Sequence, residues 1–188
     1  VFATCTGYSV PGLSAYILKA LRMRQDTQRL DVYGMGCSAA VPAINRAHDY
    51  VWMSYKRKAL VVNTEIYSTT IFHDNDVETA VGDAIFADSS SAVLVGYGDK
   101  SGPTIIDFET AVDYENIGTL GYTFPDGRFR IRLDPKIPVL VAPLMKRVAD
   151  NLLERHDLTK DDVKAWIIHP GGKRILEGAV KALELSDE

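Results

Sequence analysis

The stretch Leu30–Asp49, LDVYGMGCSAAVPAINRAHD, decides how the chain is read. Leu30 to Tyr33 forms a short apolar strand that runs into Gly34-Met35-Gly36. Cys37 then opens a helix in which Ala40, Val41, Ile44 and Ala47 recur at three- and four-residue steps. Glycines on both sides of Met35 permit a backbone that a residue with a Cβ resists. The thiol is thereby expected at the first turn of a buried helix. Unpaired amides and the positive end of the helix dipole favour thiolate over thiol there. Small side chains at Ser38, Ala39 and Ala40 leave room for an approaching group. A buried structural cysteine is the competing reading, since free Cys is among the most buried residue types.

The rest of the chain reads as strands alternating with amphipathic helices. Val1–Cys5 is a strand, Leu13–Met23 a helix, and Ala59–Thr64 a strand apolar on both faces, with Glu65 at its end. Asp76–Phe86 is a helix opened by an aspartate, with Val77, Ala80, Val81, Ala84 and Ile85 turned inward. Asp88–Ser91 is a turn before the strand Ala92–Val95, and Gly96–Gly102 is the candidate domain junction. Beyond it, Thr104–Ala111 and Phe129–Leu133 alternate as strands, and Asp113–Phe124 is irregular. Pro138–Arg155 is a helix, and Thr159 with Asp162 forms a partial capping box. The buried strand Ala165–Ile168 ends in His169-Pro170-Gly171-Gly172, and a last helix follows. The alternation predicts a layered α/β fold with a largely parallel sheet.

Composition narrows the function. With 188 residues, 46% hydrophobic and 24% charged, the chain is that of a soluble globular protein. A net charge of −4 and the lack of a basic run exclude a nucleic-acid surface. No apolar run approaches the ~18 residues of a membrane span, and no signal peptide is visible. Two cysteines and four scattered histidines give neither a disulfide framework nor a zinc spacing, so a cytoplasmic setting is expected. Val1 is not an initiator and the chain stops just after a helix, which reads as a segment of a longer protein.

Cys37 and His169 occupy equivalent places, each after a short strand and in a Gly-containing turn before a helix. Ligand sites in α/β sheets gather at the carboxyl ends of strands. A Cys–His pair there supplies a nucleophile and a base or oxyanion donor. The competing reading of His169 is a hydrogen-bonded structural histidine.

The segments TCTGYSVPG (Thr4–Gly12), GMGCSAA (Gly34–Ala40), VGDAIFAD (Val81–Asp88) and IHPGGKRIL (Ile168–Leu176), in this order and spacing, resemble the type III polyketide synthases. These are the chalcone and stilbene synthase relatives in the thiolase superfamily. The resemblance implies a thiolase-like fold, two α/β halves stacked as α-β-α-β-α with mostly parallel sheets covered by helices. Residues 1–97 would be the later part of the N-terminal half, and residues 98–188 the early part of the C-terminal half. It implies that Cys37 carries the acyl group, and that His169 supports the thiolate and polarises the thioester carbonyl. The family's third catalytic residue, an Asn, falls beyond this chain, so the segment alone is expected to be inactive.

The implied reaction is decarboxylative Claisen condensation of an acyl-CoA starter with malonyl-CoA, both of them substrates, with no metal or other cofactor. A homodimer is implied, to which Tyr50–Tyr55 (YVWMSY) adds apolar surface. The starter pocket falls on Ile71 or Phe72 and on Phe129 or Ile131, beside Gly171 and Gly172. The sequence departs from the family where Ser38 follows the cysteine, and where FADSSSA (Phe86–Ala92) exchanges two glycines for Ala87 and Ser89. GMGCSA is closer to the ketoacyl-CoA synthases of plants. The alternatives are a ketoacyl synthase III or ketoacyl-CoA synthase of fatty-acid synthesis, the former using acyl carrier protein, and a non-catalytic thiolase-fold partner subunit.

Overall fold

The computed structural model describes residues 1–98 and 102–185, so the centre of the expected junction Gly96–Gly102 lies outside the described residues. The chain forms two compact units, Val1–Ile71 with Phe86–Ile106, and Phe72–Ile85 with Asp107–Glu188.

The first unit is built on a four-stranded sheet of order β2-β1-β3-β4, comprising β1 (Phe2–Thr4), β2 (Asp31–Tyr33), β3 (Lys58–Glu65) and β4 (Ser89–Gly96). β1 pairs in parallel with β2 and with β3, while β4 runs antiparallel to β3 from Lys58↔Gly96 to Glu65↔Ser89. The sheet is therefore parallel except at one edge. Ser89–Ser91, expected as a turn, belongs to β4. Its ladder with β3 continues through Thr64↔Ser90, where the two hydroxyls are 2.8 Å apart.

Helix α1 (Leu13–Ala20) follows β1, and α2 (Ala40–Trp52) packs on the sheet. The face of α2 that is buried carries Ala43, Ala47 and Val51, whereas the expected Val41 is half exposed. Ala43 and Ala47 are wholly buried among Ala3, Val61 and Val95, and their small side chains let the helix lie close to the strands.

The second unit holds α3 (Val77–Ile85), the antiparallel hairpin β5 (Leu120–Thr123) and β6 (Arg130–Leu133), and the helices α4 (Ile137–Arg155) and α5 (Lys173–Leu183). α4 and α5 pack together, with Ala179 and Leu183 of α5 buried. Asp76 caps α3 as expected, accepting the Glu78 amide at 2.8 Å. Thr159 caps the short turn Lys160–Asp162 and completes the box with Asp162.

Four further expectations fail. Thr104–Ala111 and Ala165–Ile168 are not strands, and Ile167 is fully exposed. Apolar alternation records only which side chains suit a sheet. A strand exists only where a neighbouring strand takes its backbone hydrogen bonds, and among the described residues no strand pairs with these segments. Leu120–Thr123, expected as irregular, does find such a neighbour in β6. The fourth failure concerns α3, whose buried residues are Thr79 and Gly82. Its apolar face of Val77, Val81 and Ile85 is exposed because it lines an open cavity instead of a packed core.

Candidate functional site

Two clusters of chemistry stand at turns, one in each unit. In the first unit β2 delivers the chain into Gly34 at φ +74° and Gly36 at φ +55°, the left-handed backbone that glycine alone enters freely. No atom lies near where a Cβ would sit at either position, so conformation and not space demands the glycines. The turn closes through the Ser38 hydroxyl, which donates to the Met35 carbonyl at 2.7 Å, and the Ala39 amide, which donates to the Gly36 carbonyl at 3.1 Å.

Cys37 sits in the short 3-10 turn Gly36–Ser38 and its residue surface is exposed. It does not open the α-helix, which begins three residues later at Ala40. The helix start expected at Cys37 is thereby corrected to Ala40. The thiol pKa is raised, first by the protein packed around the sulfur and then by the charge of Glu65, against a smaller lowering by a backbone hydrogen bond. One 3-10 turn lacks the aligned amides through which a long helix would act on the sulfur.

Glu65 is the residue that the sequence reading left without a role. At the carboxyl end of β3 its carboxylate accepts the Cys5 amide at 3.0 and 3.1 Å and the Thr6 amide at 3.1 Å. It also accepts the Thr6 hydroxyl at 2.7 Å and the Thr4 hydroxyl at 3.3 Å. The available signal was a carboxylate ending one central strand while Thr4-Cys5-Thr6 ends its parallel neighbour.

In the second unit His169 is exposed and stands above the Gly171-Gly172 turn that starts α5. Gly172 takes φ +125°, which only glycine adopts without strain. Gly171 is needed for room, because a Cβ there would come within 3.3 Å of the His169 ring and 3.1 Å of Ile175. Both glycines line a cavity of about 350 Å³. Val77, Val81 and Ile85 of α3 form one wall, and Leu133 and Ile137 lie on another. Glu78, Lys173 and Arg174 add charge to the lining.

The candidate pocket residues are dispersed. Ile71 closes a segment of the first unit, while Phe72 belongs to the second. There the Phe72 ring lies 4.4 Å from the Arg128 guanidinium and 5.6 Å from that of Arg130. Phe129 packs against Tyr122 and Phe124, at 5.5 and 4.6 Å between ring centres, and Ile131 is buried in β6. Among the described residues no His, Cys, Asp and Glu side chains group to hold a metal ion, and no helix is long and apolar enough to cross a membrane.

A strand that feeds a paired-glycine turn carrying a cysteine, and a glycine turn carrying a histidine before a helix, fit a thiolase-like α/β protein. PKS-I from the brown alga Ectocarpus siliculosus superposes with a TM-score of 0.90 at 29% identity, covering 99% of this chain and 51% of that one. The 1,3,6,8-tetrahydroxynaphthalene synthase of Streptomyces coelicolor, a bacterial type III polyketide synthase, gives 0.86 at 26% identity, over 99% and 53%. The sequence profile described as FAE1/Type III polyketide synthase-like protein matches residues 1–102, and the chain belongs to that family. It is 32% identical to the 3,5-dihydroxyphenylacetyl-CoA synthase of Streptomyces toyocaensis, over 97% of this chain and 49% of the relative. The chain spans about half the length of the curated relatives it matches.

Proposed function

We propose that the whole protein joins an acyl-CoA starter to malonyl-CoA by decarboxylative Claisen condensation, with Cys37 as nucleophile and His169 as its partner and oxyanion donor. The observation that carries this reading is the paired left-handed glycine turn that holds an exposed Cys37 at the end of β2, in a chain of this family. The Cys37 thiolate attacks the starter thioester, a new C–S bond forms, and the CoA thiolate leaves. Malonyl-CoA then loses carbon dioxide, and its enolate carbon attacks the Cys37 thioester and expels the thiolate. Burial and Glu65 hold the thiol up, and support of its thiolate is the role given to His169. An imidazole N–H aimed at the enolate oxygen is worth about 3 kcal/mol or more, as oxyanion-hole donors are.

The cavity beside Gly171 and Gly172 would receive the acyl chain and its thioester arm, its apolar walls suiting an alkyl group. In this reading residues 1–97 and 98–188 belong to successive halves of a thiolase-like enzyme that works in the cytoplasm as a homodimer. Trp52, Met53 and Tyr55, each at least 70% exposed, support the dimer as apolar surface in search of cover. A monomeric mass in light scattering at micromolar concentration would remove that part of the reading.

The decisive experiment is carbon dioxide release from malonyl-CoA, measured beside mass-spectrometric detection of acylated Cys37, in the whole protein. Cys37→Ala should abolish acylation. His169→Gln keeps a donor without a cation, so it should retain part of the decarboxylation while loading falls at neutral pH. His169→Ala should lose both, and near wild-type rates in that variant would reduce His169 to a structural residue.

A further inference from the structure

α3 presents an apolar face to an open cavity, so packing of that face does not hold the helix in place. Polar contacts at its first turn do. One oxygen of Asp76 accepts the amides of Glu78 at 2.8 Å and Thr79 at 3.4 Å, and the other meets the Arg130 guanidinium at 3.1 Å. Arg130 also reaches Asp74 at 2.7 Å and the buried Thr79 hydroxyl at 3.1 Å. The ring of Phe72 packs near the same guanidinium. Arg130 starts β6, and β6 ends at Leu133, which lines the cavity opposite α3. The Leu133 amide donates to the Glu78 carboxylate at 3.3 Å, a second tie between the two walls.

We propose that Arg130 is a positioning residue that fixes the spacing between α3 and β6, and through it the length of acyl chain the cavity accepts. The inference rests on the reading that this cavity receives the acyl group of the thioester. All three partners meet one terminal nitrogen of the guanidinium, Nη2, so a single charged group ties the Asp74, Asp76 and Thr79 side chains to β6. Its place in β6 and its attachment to the helix cap make it a strut.

The test uses the whole protein with Arg130→Met, Asp74→Asn and Arg130→Lys, each checked for folding by thermal melting. The first readout is kcat/KM across saturated acyl-CoA starters from hexanoyl to hexadecanoyl. Burying one methylene changes affinity about fourfold, so a wall displaced by two methylenes moves the long-to-short ratio about fifteenfold. That ratio should move in the same direction in Arg130→Met and Asp74→Asn and return part of the way in Arg130→Lys. A uniform fall in kcat with the ratio unmoved overturns the proposal, because uniform losses cancel in it.

The second readout needs no turnover: displacement of bound cis-parinaric acid by saturated fatty acids of increasing length. If the wild type orders the fatty acids by length but condenses nothing, the catalytic reading fails while the clamp is still judged by the displacement series. A wild type that does not bind the probe overturns the clamp. So does a displacement series in Asp74→Asn that matches the wild type, even where Arg130→Met fails to fold.

Discussion

The Thr6 hydroxyl donates to the Glu65 carboxylate at 2.7 Å and at the same time accepts the Ile66 amide at 2.8 Å. Through this one oxygen the end of β1 is sewn to the end of β3, close to the cysteine turn. Glu65 thus has two effects, one on the stability of the strand ends and one on Cys37.

Replacing Glu65 separates them. Glu65→Ala removes the acceptor shared by the Cys5 and Thr6 amides and the Thr6 hydroxyl, at a cost of about 2 kcal/mol in unfolding free energy. Urea titration measures it. Glu65→Gln removes the negative charge while keeping one acceptor. The charge raises the Cys37 pKa, so its removal lowers that pKa and iodoacetamide labels Cys37 faster at pH 8. Unchanged or slower labelling would show that the charge does not reach the sulfur.

Between the two cysteines, Cys37 should react first. Its residue is exposed, whereas Cys5 is half-buried, with its amide bonded to Glu65. Burial and Glu65 raise its pKa, so the labelling rate of Cys37 should climb with pH. Limiting iodoacetamide at pH 9 followed by peptide mass spectrometry gives the order of modification. Cys5 labelled ahead of Cys37 would contradict the assignment.

Two glycine-to-alanine changes should fail for different reasons. Gly36→Ala forces a Cβ into φ +55° with nothing nearby to strike, so it costs about 1 kcal/mol of stability as backbone strain. Gly171→Ala brings a Cβ within 3.3 Å of the His169 ring and 3.1 Å of Ile175. It should shift the imidazole and lower malonyl-CoA decarboxylation more than it lowers the melting temperature. Comparing melts with rates for both proteins decides the matter.

The Asp107–Arg155–His156 cluster predicts an acid limb of stability. The Arg155 guanidinium, then the Phe108 amide and His156, hold the Asp107 carboxyl well below the usual carboxylate range. Arg155 also lowers Glu109. A carboxyl with a depressed folded pKa stabilises the fold above its unfolded value of about 4 and loses that contribution as pH falls further. Arg155→Gln should therefore flatten the fall in melting temperature below about pH 4, and an unchanged slope would dismiss the cluster as a stabilising contact.

Much of the local structure was legible in the sequence because its causes are local. Gly34 and Gly36 announce a left-handed turn, Asp76 a helix start, Thr159 with Asp162 a capping box, and each appears as read. Ala165–Ile168 was misread because a run of apolar residues does not say whether another strand is present to pair with it. The α3 face was misread for a related reason, since periodicity identifies an apolar stripe and not whether that stripe meets a core or a cavity.

The sequence by itself determined the two glycine turns and the residues they carry, because backbone conformation depends on the residue and its nearest neighbours. Only tertiary structure decided the surroundings that raise the Cys37 pKa, which are the atoms packed around the sulfur and the charge of Glu65, 28 residues away along the chain. It alone joined Arg130 to Asp74 and Asp76, because ion pairing and desolvation follow distance in space, which residue order does not encode.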